Sequence, residues 1–231
     1  MRLIAIIPAR SGSKGLTDKN IKELCGKPLL TYTIEAAIKA NVFDEIMVST
    51  DSEHYAKIAE KYGAKVPFLR SEENSSDNAS SWDTVYEVIK NYKKMNIEYD
   101  AFMLLQPTSP LRDEQDIIGA INEYKLKKAN TVVSVCKAEH TPIYINTLPE
   151  SLNMDGFFGK HKWTRRQDLP PYYRLNGAIY MSDIKHFMKY RDIYRDSCFA
   201  YVMDNIKSID IDTELDFLYV ESILLNCGGT L

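Results

Sequence analysis

The sequence predicts a doubly wound α/β fold built on a mostly parallel sheet. Short β-branched runs alternate with helix-length segments through the first two-thirds of the chain, several of those runs are apolar without a break, and a small cationic loop follows the first of them. Parallel strands need long crossovers, so this alternation favours helices over both faces of one sheet.

Leu3 to Ile7 is unbroken apolar and predicts a buried strand, closed by Pro8. Pro28 to Ala40 then places Leu29, Leu30, Ile34, Ala37 and Ile38 on one face of a helix. Glu45 to Ser49 is strand-like, Tyr55 to Tyr62 helical and Val66 to Leu69 strand-like again. Val85, Val88, Ile89 and Tyr92 keep the i, i+3, i+4, i+7 spacing of a helix. Ala101 to Leu105 is a second fully apolar strand, followed by a helix over about Gln115 to Leu126 and a strand over Thr131 to Val135. From about 140 to 168, Pro142, Pro149, Gly156 and Gly159 interrupt short runs such as Ile143-Tyr144-Ile145. This stretch is expected to be an insertion: a lid, a partner-binding arm or a plain surface excursion. Leu175 to Met181 and Ser208 to Ile211 return as strands, and a last helix carries Leu215, Leu218, Tyr219 and Ile223.

A chain of 231 residues suits one domain with a proper core. Its formal net charge of -3 gives no general attraction to nucleic acid, so any cationic function must be local. The apolar run before Pro8 is too short for a secretion signal, and no stretch approaches the ~20 apolar residues of a membrane span. A cytoplasmic protein, with no membrane partner, is expected. Cys25, Cys136, Cys198 and Cys227 lie far apart and the four histidines form no ligand spacing, so neither a zinc site nor a disulfide framework is indicated.

Five stretches carry candidate chemistry. The first is PARSGSKGLTDKN, Pro8 to Asn20, where small residues let backbone N–H groups approach an anion and Arg10, Lys14 and Lys19 add positive charge. It matches neither G-x-x-x-x-G-K-[ST] nor G-x-G-x-x-G, so a P-loop and a dinucleotide-binding turn lose ground; an anionic ligand is expected over a solvated turn. The second is SIDIDTELD, Ser208 to Asp216: on a strand, Asp210 and Asp212 share a face, and two adjacent carboxylates need a cation, a proton or donors between them. Mg²⁺ held jointly with phosphates would meet that need; a cap on the last helix is the plainer use for Asp212. The third, LLQPTSPLR, ends a strand in Gln106 and then fixes Thr108 and Ser109 between prolines. The fourth, LRSEENSSDNASSWD, contains Arg70 and a possible capping box of Ser80 with Asp83. The fifth groups Arg165, Arg166 and Arg174, either as carboxylate binders or as a solvated basic patch.

Together PARSGSKGLTDKN, STD, LLQPTSPLR, RLNGAIY and SIDIDTELD resemble the sugar-acid cytidylyltransferases, nearest to the N-acylneuraminate cytidylyltransferase (CMP-sialic acid synthetase) family, in order from Ile4 to about Asp216. The resemblance implies a Rossmann-like domain over 1–231 with a small arm, about 140–168, exchanged across a homodimer. It implies transfer from CTP to the C2 hydroxyl of a nine-carbon sugar acid, most simply N-acetylneuraminate, for a surface polysaccharide. Arg10, Lys14 and Lys19 would contact the triphosphate with Ser13, and Asn20 would lie near the ribose. Arg70, Asp77, Ser80 and Ser81 would form the nucleoside pocket. Gln106, Arg166 and Tyr180 would hold the sugar acid, and Asp210 and Asp212 would bind Mg²⁺, with Mn²⁺ an alternative. HTPIY puts Tyr144 where a sialate enzyme can carry lysine, which admits legionaminate or another nonulosonate as substrate. The 3-deoxy-manno-octulosonate enzymes usually run from Pro-Ala-Arg into a different loop. A catalytically silent nucleotide-binding or dimerisation module is the alternative of another class; it predicts damage to the lysines or the Asp pair, and all are intact.

Overall fold

The computed structural model describes residues 1–13, 15–76, 79–159 and 165–226. Its strands are β1 (Leu3–Pro8), β2 (Glu23–Leu24), β3 (Lys27–Pro28), β4 (Glu45–Ser49), β5 (Ala101–Leu105), β6 (Thr131–Lys137), β7 (Tyr173–Asp183) and β8 (Cys198–Val202). Its helices are α1 (Leu29–Ala40), α2 (Glu53–Lys61), α3 (Glu72–Ser75), α4 (Ser81–Lys94), α5 (Glu114–Lys127), α6 (Ile184–Tyr190) and α7 (Glu214–Asn226).

The six-stranded sheet has the order β4-β1-β5-β7-β6-β8. All neighbours are parallel except β7, which runs against both β5 and β6. β1 shows why the inner strands carry unbroken apolar runs. Leu3, Ala5 and Ile7 pack with α1 and α5 on one face, while Ile4 and Ile6 pack with Val85 and Val88 of α4 and Phe187 of α6 on the other. Phe102 meets Phe187 edge to face at 5.1 Å, a pairing that adds about 0.5–1.5 kcal/mol beyond burial. Local signals set the helix starts. Ser52 caps α2, Ser80 caps α4, Asp183 caps α6, and Asp113 with Asp116 forms a full capping box on α5.

Val66 to Leu69, expected as a strand, forms none; the bridge that the structure has there, Met47–Lys65, lies just before it. Lys65 N donates to Ile46 O and Val48 N to Lys65 O, and the next donor in that ladder would be residue 67, a proline without N–H. Ser208 to Ile211 is likewise not a strand. A 3-10 turn, Ile206–Ser208, leads into extended backbone at Ile209, and Ile211 N donates to Thr108 O in the loop after β5 instead of to a sheet. The buried face of α7 also differs from expectation: Phe217 and Val220 meet the core, with Ile223 against it, while Leu215, Leu218 and Tyr219 face outward. α6, β8 and the short β2–β3 hairpin had no counterpart in the sequence reading. In the 140–168 stretch the described residues form a 3-10 turn at Pro142–Tyr144 and loops up to 159, then a second turn at Arg166–Asp168.

Candidate active site

Three loops leave the carboxyl edge of the sheet side by side, after β1, β4 and β5, where the strand order doubles back around β1. Such a reversal point is where open α/β sheets form ligand crevices. Here it opens a cleft of about 480 Å³.

The loop after β1 forms one wall through Arg10, Ser13, Gly15, Lys19 and Asn20. Gly12 takes φ +66°, a conformation that L side chains rarely adopt, and Gly15 approaches the Asp212 carbonyl so closely that a Cβ there would sit 3.1 Å away. Asn20 is buried and donates through Nδ2 to the Arg10 carbonyl at 3.1 Å, so it holds the loop in shape from within. Arg70, 8% exposed, lies on another side, its Nε on Ser49 Oγ at 3.0 Å. Burial pushes its guanidinium down to about 10; Asp51 and Glu87 support its charge and Arg10 opposes it. Two repelling arginines on one cleft suit an anionic occupant.

The loop after β5 supplies Gln106, Pro107 and Thr108. Arg112, wholly buried at the end of LLQPTSPLR, anchors it. Nη1 donates to the carbonyls of Gln106 and Ala178 at 3.1 and 3.0 Å, and Nη2 to Thr33 Oγ1 at 2.6 Å. With three neutral acceptors around it, burial pushes this guanidinium down to about 10 against the charges of Asp116 and Asp113. Opposite Gln106, β7 changes register against β6 between Val133 and Val135, and Gly177 takes φ +77°. A Cβ on Gly177 would stand 3.2 Å from Gln106 Oε1 and 3.7 Å from Asp210 Oδ2. The bulge therefore brings the glutamine amide and the aspartate around one glycine.

Asp210 and Asp212 complete the cleft. Asn176 of β7 secures their segment, donating to Ser208 Oγ at 2.8 Å and accepting from Ser134 Oγ at 2.6 Å. Lys19 Nζ reaches across to Ile211 O at 2.6 Å and Asp212 Oδ1 at 3.0 Å. Burial raises the pKa of Asp210 and the Asp212 charge adds to it; Thr108 and Lys19 pull the other way without cancelling them. Its Oδ1 is buried with no hydrogen-bond partner among the described residues. Asp212 is not the cap of α7: Thr213 Oγ1 accepts from Asp216 N and the Asp216 carboxylate accepts from Thr213 N, a capping box that leaves Asp212 facing the cleft. An orphaned buried carboxylate oxygen beside a second, exposed carboxylate fits a hard divalent cation that shares its ligands with a phosphate. Among the described residues no three His, Cys, Asp or Glu side chains cluster as a complete metal cage.

Of the residues expected from sequence, Arg10, Ser13, Lys19, Asn20, Arg70, Ser81, Gln106, Asp210 and Asp212 thus share one cleft. Lys14 and Asp77 lie outside the described residues, as does the side chain of Arg166. Three others stand outside the cleft walls. Ser80 is spent on capping α4, its Oγ accepting from Asp83 N at 3.1 Å. Tyr180 packs edge to face on Trp82 at 5.3 Å, with burial pushing its hydroxyl up to about 12. Tyr144 lies in the Pro142–Tyr144 turn against Phe158. Asn74 and Thr84 line the cleft unannounced. Asn74 is placed by Glu87, which accepts its Nδ2 at 2.6 Å and Ser71 N at 2.9 Å, a contact across 13 residues that no local spacing reveals. Cations and carboxylates on one cleft and no histidine or cysteine among the described lining residues favour binding and charge stabilisation over a covalent enzyme intermediate.

The cytidylyltransferase family model matches residues 4–223. The chain is 42% identical over 217 residues to an N-acylneuraminate cytidylyltransferase of Escherichia coli O18:K1:H7, covering 94% of this chain and 50% of that protein. It thus spans about half the length of that relative. It is 36% identical to the CMP-N,N'-diacetyllegionaminic acid synthase of Legionella pneumophila, over 97% of each chain. In fold it is similar to CMP:2-keto-3-deoxy-manno-octonic acid synthetase solved with CTP, with TM-score 0.76 at 15% identity over 98% of this chain and 99% of that one.

Proposed function

Because the chain belongs to the cytidylyltransferase family, we propose that it transfers the cytidylyl group of CTP to the C2 hydroxyl of a nine-carbon sugar acid. The observation that carries this reading is the single cleft in which Arg10, Lys19 and Arg70 face Asp210 and Asp212. The hydroxyl oxygen bonds to the α-phosphorus, the bond from that phosphorus to the bridging oxygen breaks, and pyrophosphate leaves. Arg10 and Lys19, with Lys14, offset charge on the phosphates; Arg70 and Ser81 face the nucleoside. Gln106, held by Arg112, would orient the sugar acid, and Arg166 would bind its carboxylate. Asp210 would also assist removal of the hydroxyl proton. Asp210 and Asp212 would hold Mg²⁺, or Mn²⁺, which neutralises charge at the α-phosphate when bound.

N-acetylneuraminate is the favoured acceptor, supported by the 42% identity to the E. coli enzyme. Legionaminate is the second reading, supported by the full-length match to the Legionella synthase and by the aromatic Tyr144 on the arm. Ile145, Leu148, Leu152 and Met154 expose apolar surface along that arm, which supports a homodimer; light scattering after size exclusion would return a monomer mass if this is wrong. The setting proposed is the cytoplasm, supplying an activated sugar to a surface polysaccharide; no described helix is long and apolar enough to cross a membrane.

The test is pyrophosphate release with CTP and Mg²⁺ against N-acetylneuraminate, diacetyllegionaminate, pseudaminate and 3-deoxy-manno-octulosonate, each repeated with EDTA. Turnover of one nine-carbon acid, abolished by chelation, supports the reading and names the acceptor. Turnover of none of them overturns it.

A further inference from the structure

The carboxyl end of β4, Ser49-Thr50-Asp51, lines no part of the cleft, yet it holds two of the cleft's walls. On one side the Asp51 carboxylate takes both donors of Ser11: Ser11 N reaches Oδ1 at 2.8 Å and Ser11 Oγ reaches Oδ2 at 2.7 Å. Ala9 N adds a bond to Ser49 O at 2.9 Å. On the other side Arg70 Nε donates to Ser49 Oγ at 3.0 Å, Nη2 to Ser49 O at 2.5 Å, and Arg70 N to Thr50 O at 2.8 Å. The far end of the same loop is tied to the segment that follows, because Tyr55 O–H donates to Asp18 Oδ1 at 3.0 Å.

A carboxylate close behind an anion-binding loop opposes the ligand's charge, so its presence calls for a positional reason. Burial disfavours the Asp51 charge, but the two Ser11 donors and the nearby Arg70 outweigh it and hold the carboxyl below its ordinary range. It is therefore ionised at neutral pH, and only an ionised carboxylate accepts both Ser11 donors at once.

We propose that Asp51 is a positioning residue that acts through Ser11, fixing Arg10, Ser13 and Lys19 of the first loop so that they grip the phosphates of a nucleoside triphosphate. The inference rests on the reading of CTP as the nucleotide. It places the contribution of Asp51 on the phosphate end of the ligand and not on the nucleoside. A residue that merely stabilised the fold would weaken both ends alike.

The experiment is calorimetric titration of the full chain with CTP, and with cytidine competed against CTP, for wild type, Asp51→Asn, Asp51→Glu, Ser11→Ala and the Ser11→Ala/Asp51→Asn double variant, with a melting temperature for each. Asp51→Asn should raise the Kd for CTP by about tenfold, the effect of a charge-assisted hydrogen bond. The Kd for cytidine should stay within about twofold, a change worth under 0.5 kcal/mol. The double variant should lose little more than Asp51→Asn alone, because Ser11→Ala removes one of the two bonds that Asp51→Asn already weakens. Equal weakening of CTP and cytidine, additive losses, or unchanged CTP binding in Asp51→Asn would each overturn the proposal. Should Asp51→Asn melt below the assay temperature, Ser11→Ala carries the same comparison, since it keeps the carboxylate and removes one of its donors. Wild type that binds no CTP brings down the functional reading itself, an outcome distinct from wild type that binds while Asp51→Asn binds equally well.

Discussion

Lys19 and Asp212, 193 residues apart in the chain, meet as an ion pair of 3.0 Å that joins the first loop to the segment ahead of the last helix. The Asp212 side chain is 74% exposed, so the pair adds little to stability; what it sets is the relative position of a cation and a carboxylate on one cleft.

Lys19→Met should therefore reduce kcat/KM by about a hundredfold or more, the scale for removing one preorganised charge from a reacting phosphate. Pyrophosphate release at saturating and limiting CTP checks it. Wild-type turnover in this variant would exclude Lys19 from the phosphate site.

Asp210→Asn separates function from stability. The folded-state pKa of Asp210 is raised, chiefly by burial, so the native chain holds this proton more tightly than the unfolded one. As pH climbs from about 3.9 through the folded-state value, ionisation of this group withdraws stability, and above that value the loss is constant. Asparagine has no charge to desolvate. With EDTA present, Asp210→Asn should melt above wild type at neutral pH, by a margin that disappears in acid, while turnover with Mg²⁺ collapses. A variant that melts below wild type at pH 7 contradicts this.

Gly177→Ala tests the bulge opposite Gln106. The left-handed backbone at φ +77° and a Cβ 3.2 Å from Gln106 Oε1 together strain the variant. About 1–2 kcal/mol of strain lowers Tm by about 2–8 °C in a chain of this size. The amide and Asp210 would also be pushed apart, so KM for the sugar acid should rise more than KM for CTP. Unchanged kinetics would show that the glycine serves only the backbone.

Asp212→Ala and Thr213→Ala should fail in opposite ways. Thr213 is the helix cap, and its loss should cost about 1 kcal/mol, or about 2–4 °C in Tm, with turnover largely kept. Asp212 caps nothing, and its loss should abolish turnover while Tm stays nearly level. Thermal scans beside pyrophosphate release distinguish the two.

Much of this was legible residue by residue. The bounds of β5 followed from its apolar run and those of β4 from its strand-like composition, and the loop after β1 showed its glycines, serines and cations. The failures have local causes. Val66 to Leu69 has strand composition, but Pro67 removes the donor that a second bridge requires. α7 is apolar on several sides, so its spacing favoured Leu215 and Leu218, whereas the core accepts Phe217 and Val220. Asn74 entered the cleft through Glu87, and Arg112 anchors Gln106 from behind; neither contact has a sequence period.

By itself the sequence determined the alternation of strand and helix, the charges available for a site, and the presence of a small cationic loop at the end of a buried strand, because backbone periodicity and side-chain chemistry are local properties. Only the tertiary structure decided that β7 runs against its neighbours, that Gly177 brings Gln106 and Asp210 together, and that Lys19 reaches Asp212. Those relations join residues many tens of positions apart, and they depend on strand order and close packing, which no local pattern contains.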